Sequence, residues 1–331
     1  MPWKGIKDPY KIWLSEIILQ QTRVEQGLDY YEKFIFFFPS VHDLATADEG
    51  VIFKLWEGLG YYNRCKNLIT TAKYISEKLN GIFPNTYQDI ITLKGVGPYT
   101  AAAIASFAYN LPFAVVDGNV FRVLARLFAI ETPIDSTIGK HEFNELAQQV
   151  LDKNEPALYN QAIMDFGATV CKPVNPECGT CTLQQHCRAY QVGVVNKLPV
   201  KEKTLLKRKR WLYYFILQHQ DTILVSKRTS KDIWENLYEY YLIESDAEIL
   251  WNDTSIQQHL HHQLGIKNAK VTSVSLMVKQ HLTHQLIQGQ FIQATLSSIP
   301  HNLQQGQWHP INQLDKLPFP QFINQYKLIV G

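Results

Sequence analysis

The sequence predicts a multidomain α + (α+β) protein: an all-α first part followed by a separate α/β domain. Three observations predict it. Up to about residue 190, apolar residues recur at the three- and four-residue spacing of amphipathic helices. Four cysteines, Cys171, Cys178, Cys181 and Cys187, close that part. Beyond Trp211, short β-branched and aromatic runs between turn residues replace the helical spacing.

In chain order, Asp8 caps a helix opening at Pro9, with Tyr10, Trp13, Leu14, Ile17 and Ile18 along one face. Leu28, Tyr31, Phe34, Ile35 and Phe38 form a second stripe, stopped by Pro39. Ile52, Leu55, Trp56 and Leu59 form a third, ended by glycines. Leu68, Ile69, Ala72, Ile75 and Leu79 form a fourth, with Gly81 as its C-terminal cap. Thr86 caps a fifth helix, a small-residue helix follows Gly97, and another follows Asp117. In the second part, residues 211–217 and 222–226 flank a polar turn and predict a hairpin. Residues 271–278 and 290–296 predict further strands, and 255–264 and 319–328 predict helices.

A chain of 331 residues accommodates two or three domains, and 46% apolar against 19% charged residues marks it as globular. No apolar run reaches the roughly 18–20 residues that span a bilayer, and no signal segment opens the chain. The expected compartment is a reducing cytosol. Net charge is only +2, so the case for a nucleic-acid partner rests on distribution. Lys197, Lys201, Lys203, Lys207, Arg208, Lys209 and Arg210 crowd one segment with a single acid, Glu202. Such a run can neutralise phosphates, although composition alone favours a solvated linker.

Four cysteines plus a lone Cys65 make an odd count, which argues for a metal site rather than a disulfide framework. The spacing is Cys171-x6-Cys178-x2-Cys181-x5-Cys187. Four such thiolates hold zinc or an iron–sulfur cluster. One close pair flanked tightly by outer cysteines favours a cubane cluster over the two separated knuckles of a zinc ribbon. Leu93-Lys94-Gly95-Val96-Gly97-Pro98-Tyr99 joins two helices as a helix–hairpin–helix, whose second helix aims free N–H groups at a DNA phosphate. Ordinary helix corners use Gly-x-Gly as well.

Two carboxylates complete the chemistry. Glu16 lies in a strongly apolar helix and Asp117 at a helix start. Cleaving an N-glycosidic bond needs an acid for the leaving base and a negative charge for the oxocarbenium-like sugar. Burial keeps the first protonated and a helix N-terminus keeps the second ionised. On spacing alone Asp117 reads more readily as an N-cap, and Glu16 reads also as an exposed helix residue.

Several segments together resemble the MutY family of adenine DNA glycosylases. They are residues 13–22, Gly58-Leu59-Gly60-Tyr61-Tyr62-Asn63-Arg64, the hairpin, residues 116–126 and the four cysteines. The resemblance is close over residues 2–190. It implies a helix–hairpin–helix glycosylase: a six-helix barrel over 4–111 and an iron–sulfur cluster domain from 1–3 and 112–192. A basic linker (193–210) and a Nudix-like (MutT-like) lesion-recognition domain (211–331) would follow. It implies one 4Fe–4S cluster per chain, held by Cys171, Cys178, Cys181 and Cys187. The implied partner is double-stranded DNA with adenine opposite 8-oxoguanine or guanine, met by a monomer in a bacterial cytoplasm and not at a membrane.

Position by position, the resemblance makes Glu16 the general acid and Asp117 the carboxylate facing the cationic sugar, with Asn119 orienting the pair. Tyr99 stands where bifunctional relatives such as endonuclease III keep a lysine nucleophile, so strand cleavage should be weak or absent. Gln21 and Tyr61 match residues that wedge into the duplex, and Thr22 one that contacts the lesion. Trp3 and Gln161 match positions lining the adenine pocket, where an extruded base needs stacking and edge contacts. Gln20, Arg64, Gly95 and Gly97 stand in the same motifs and join the expected DNA contacts.

The family's lesion-reading Phe-Ser-His is met here by Leu282-Thr283-His284, so Thr283 and His284 are the expected readers and the aromatic is missing. The Glu-rich motif of Nudix hydrolases is absent before Leu264-Gly265-Ile266, which excludes pyrophosphohydrolase activity from the expectation. His259, His261 and His262 read as a polar helix face rather than a metal site. The family also carries a helix ahead of the position of Pro2-Trp3.

Overall fold

The computed structural model describes residues 4–22, 24–202, 207–300 and 306–327. Trp3 and Lys203 lie outside them. The chain forms two compact units, Met1–Thr46 with Lys66–Thr204, and Ala47–Cys65 with Leu205–Gly331.

The helices are α1 (Pro9–Leu19), α2 (Val24–Phe37), α3 (Val41–Thr46), α4 (Glu49–Leu55), α5 (Tyr62–Lys78), α6 (Tyr87–Ile90), α7 (Pro98–Tyr109), α8 (Gly118–Phe128), α9 (Thr137–Val150), α10 (Pro156–Thr169) and α11 (Arg188–Gln191). All belong to the first unit except α4 and the first turn of α5. Asp8 caps α1 by accepting from Tyr10 N at 2.9 Å, as expected. The single apolar face expected of α1 is wider in the structure: residues 12–18 are all buried, Glu16 included. α1 packs against α2 and α7. The alanines of α7 permit this, since small side chains let helix axes approach closely. Seven consecutive α7 residues, Thr100 to Ser106, are buried.

Thr86 caps α6 and Asp117 caps α8 as the sequence predicts. α8 and α10 touch at a point where a Cβ on Gly167 would lie 2.7 Å from Asn119 Cβ. Only glycine fits there. α9 and α10 have no counterpart among the expected helices; Ser136 caps α9, its hydroxyl accepting from Gly139 N, and α10 opens at Pro156.

The second unit holds β1 (Arg208–His219), β2 (Thr222–Lys227), β3 (Tyr238–Glu239), β4 (Tyr241–Ser245), α12 (Asp253–Leu264), β5 (Ala269–Val274), β6 (Val278–His281), β7 (Gln285–Leu296), β8 (Gln307–Pro310) and α13 (Gln321–Lys327). The sheet runs β3-β2-β1-β7-β5, with β4 on β1, β6 on β7 and β8 on β2. β1 and β7 are parallel, and the other pairs are antiparallel. β1 is buried on both faces, which explains its unbroken apolar run. Tyr213, Phe215 and Leu217 meet Ile256, Leu260 and Leu264 of α12. Tyr214 stacks on Phe291, and both meet Phe322 of α13. Gly289 lies under Phe322, where a Cβ would come within 2.4 Å of the ring. The 47–65 segment joins this unit through Lys54 Nζ, which donates to Leu317 O at 3.3 Å, and Asn324, which donates to Glu57.

The predicted hairpin is β1–β2, turning at Gln220 in the left-handed region (φ 50°). The single strand expected over 271–278 is instead β5 and β6. The ladder breaks at Ser275, whose hydroxyl accepts from Phe291 N at 2.9 Å, and leaves Leu276 88% exposed. β7 starts at Gln285, earlier than expected. The predicted C-terminal helix begins only after Pro320. His259 also departs from the expected polar face: its ring stacks on Phe215 and its Nε2 meets the Tyr241 hydroxyl at 3.2 Å. Among the described residues no helix is long and apolar enough to cross a membrane.

Candidate active site

A cavity of about 770 Å³ in the first unit is lined by residues of α1, α7, α8 and α10, among them Glu16, Tyr99, Asp117, Asn119 and Gln161. That is within the roughly 300–1,000 Å³ of small-ligand pockets. Gln20, Gln21 and Thr22 line it as well.

Glu16 reaches the cavity from α1 and is only 9% exposed. Burial pushes its carboxyl up to about 7, a hydrogen bond from Tyr99 pulls it down, and the charge on Asp117 pushes it up again. The group is therefore poised to give up a proton near neutrality. Burial and the same two carboxylates push the Tyr99 hydroxyl well above its ordinary value, so it stays a protonated donor.

Asp117 is both an N-cap and a cavity wall. Its Oδ1 accepts from Asn119 N and Val120 N, each at 2.8 Å, at the positive end of α8. Its Oδ2 accepts from Asn119 Nδ2 at 2.7 Å. The Asn119 carbonyl oxygen accepts from Arg122 Nη2 at 2.7 Å, and Arg122 Nε donates to Cys171 O at 2.7 Å. A continuous hydrogen-bonded path thus runs from Asp117 to the first cysteine of the cluster motif.

Cys171, Cys178, Cys181 and Cys187 line one pocket beside Arg126. Arg126 Nη1 lies 3.4 Å from Cys171 Sγ, and its remaining N–H groups donate to carbonyls of Lys172, Pro173, Val195 and Leu198. Burial and the neighbouring cysteines push the Cys178 thiol up, and Arg126 pulls it down. Among the described residues no three His, Cys, Asp or Glu side chains converge as ligands of a single ion.

The remaining expected residues fall in several places. Gln20 Nε2 donates to Thr100 Oγ1 at 3.2 Å. Gln21 takes a left-handed backbone (φ 57°) at the end of α1, beside Thr22, whose N–H donates to Leu19 O. Gly95 has φ 79°, and a Cβ there would lie 2.7 Å from Asn67 Cβ. Gly97 is extended (φ −99°) and open, so its lack of a side chain serves neither the turn nor internal packing. In the second unit, the Tyr61 hydroxyl hydrogen-bonds Thr283, while His284 is exposed. Arg64 lies 5.3 Å from the rings of both Trp56 and Tyr61 and donates to Gly60 O at 3.3 Å.

Arg122, Arg126 and Asp165 are the residues the sequence reading missed. Arg122 and Arg126 stand four apart on α8, just after Asp117 and Asn119; two arginines at that spacing in an apolar helix were the available signal, and both are buried. Asp165 accepts from Gln161 Nε2 at 3.0 Å and pairs with Lys4 Nζ at 2.7 Å.

The family model of the HhH-GPD superfamily base excision DNA repair proteins matches residues 14–151, and that of the NUDIX domain matches 212–327. An adenine DNA glycosylase of Buchnera aphidicola subsp. Baizongia pistaciae is 38% identical over 269 residues, 78% of this chain and 74% of the relative. That of Mus musculus is 43% identical over 60% of this chain and 41% of its own. Among solved structures, a thermostable thymine-DNA glycosylase aligns with TM-score 0.54 and 28% identity over 58% of this chain and 88% of its own. A non-covalent endonuclease III–DNA complex aligns with TM-score 0.51 and 22% identity over 57% and 86%, a likeness of fold.

Proposed function

The chain belongs to the adenine DNA glycosylases of base excision repair, with DNA as its partner, and from that premise we propose how its residues divide the work. The buried, high-pKa Glu16 beside Asp117 in one cavity is the observation that carries the reading. Adenine flipped from the duplex enters the cavity, and Glu16 protonates it as the bond to the sugar breaks. Tyr99 donates to Glu16 and keeps its carboxyl aimed. Asp117, held by three donors, faces the cationic sugar until water completes an abasic site. Tyr99 offers no amine for a Schiff base, so the enzyme is monofunctional.

The four cysteines line one pocket, and four thiolates are the donor set of a 4Fe–4S cluster. Cys171, Cys178, Cys181 and Cys187 would hold the group, which would tie the 171–187 loop together. Arg122 and Arg126 brace that loop against α8. Adenine opposite 8-oxoguanine is the proposed substrate, adenine opposite guanine a poorer one. The pairing of Thr283 with Tyr61 supports Thr283 and His284 as the lesion readers.

The test uses duplexes with one adenine placed opposite 8-oxoguanine, guanine or thymine. Alkali-dependent breaks at adenine in that order of preference are expected. Breaks without alkali, or none at adenine, contradict the reading. Thr283→Ala with His284→Ala should narrow the preference for 8-oxoguanine over guanine without abolishing adenine release, because specificity is a difference of affinities.

A further inference from the structure

Gln161 and Asp165 stand one turn apart on α10 at the wall of the catalytic cavity. A primary amide has one donor end and one acceptor end, and a carboxylate accepts only. The Gln161 Nε2 at 3.0 Å from Asp165 Oδ1 therefore fixes which end is which. With its nitrogen turned to Asp165, Gln161 offers its carbonyl oxygen as the free end. Asp165 is itself held, because Lys4 Nζ takes its other oxygen at 2.7 Å. The three side chains form a relay in which a cation orients a carboxylate and the carboxylate orients an amide.

We propose that Asp165 is a positioning residue that locks the Gln161 amide with its acceptor toward the base, making the cavity selective for a base with an exocyclic amino group over one with a keto oxygen. The proposal rests on the reading that this cavity receives adenine. An amino group donates to the Gln161 oxygen. A keto oxygen at the same place faces it acceptor to acceptor, and the lock prevents the amide from turning over to donate. Selectivity of this kind arises because a misplaced polar group is left unpaired once the bound base fills the cavity and excludes water. Asparagine at position 165 would remove the lock, since it presents either a donor or an acceptor and leaves both amide orientations of Gln161 available.

The test compares single-turnover release of adenine, hypoxanthine and unsubstituted purine from otherwise identical duplexes by wild type, Asp165→Asn, Asp165→Ala and Asp165→Glu. The melting temperature of each variant checks the fold. In Asp165→Asn and Asp165→Ala the adenine-to-hypoxanthine rate ratio should fall by about tenfold, the worth of one neutral hydrogen bond. The adenine-to-purine ratio should fall with it. Asp165→Glu, which still accepts from an amide, should restore most of both ratios. Ratios unchanged within about twofold in folded Asp165→Asn, or an equal loss on all three bases, would overturn the proposal. Wild-type protein that releases none of the three bases would overturn the assignment of the cavity, and the proposal with it.

Discussion

The side-chain amide of Asn119 donates to Oδ2 of Asp117 at 2.7 Å. Its orientation is enforced from behind, because Arg122 Nη2 donates to the Asn119 carbonyl oxygen at the same distance. The same guanidinium reaches Gly167 O and Cys171 O. Arg122→Ala leaves these three acceptors without their donor and lets Asn119 turn over. Single-turnover adenine release should fall on the order of 10²-fold, the scale of a small misplacement of a catalytic group. Arg122→Lys should recover little, since one ammonium cannot reach three directions as a planar fork does.

Gly95 and Gly97 should behave differently although the motif treats them alike. Gly95→Ala forces a left-handed backbone, costing about 1–2 kcal/mol, and meets Asn67 as well, so Tm should drop. Gly97→Ala has room and an ordinary φ, so Tm should hold; if the N–H groups opening α7 meet a DNA phosphate, as the motif leads us to expect, DNA binding should weaken. Paired melting and titration experiments check both. Equal loss of Tm in the two variants would contradict the account.

The N-terminal caps of helices were the most legible feature of the sequence. Asp8, Thr86 and Asp117 each accept from backbone N–H groups where predicted, because capping is local chemistry. Long-range features were less legible. That Glu16 is buried depends on α2 and α7 closing over α1, and its helix alone left exposure open. The break at Ser275 depends on a bond to Phe291, sixteen residues away. The path from Asp117 to Cys171 joins residues more than fifty positions apart through Arg122, to which no role was assigned from the sequence. The grouping of residues 47–65 with the C-terminal unit rests on contacts such as Lys54 with Leu317, which no local pattern announces.

Cys178→Ser or Cys181→Ser should remove the brown colour and most of the iron from purified protein, and should weaken DNA binding. Iron and sulfide analysis of anaerobically prepared wild type checks the premise. Stoichiometric zinc without iron would contradict the cluster assignment.

The raised Glu16 pKa also has a consequence for stability. The folded protein holds this proton more tightly than the unfolded chain does, so the contribution is full below the ordinary value of 4.5. It is lost as pH rises through about 7. Glu16→Gln removes the cost of ionising a buried carboxyl. It should stabilise the protein relative to wild type at pH 8 by an amount on the order of 3 kcal/mol, and have little such effect at pH 4. Denaturant titrations at the two pH values measure it.

Glu16 as the acid that releases adenine is the central claim, and the pH profile of single-turnover release tests it most directly. Wild type should lose activity as pH rises through about 7, because the carboxyl gives up its proton there. Glu16→Gln should bind the mispaired duplex yet release adenine about 10²–10⁴-fold more slowly, with that limb of the profile gone. A Glu16→Gln enzyme of near-native rate, or one that keeps the same alkaline limb, would contradict the account.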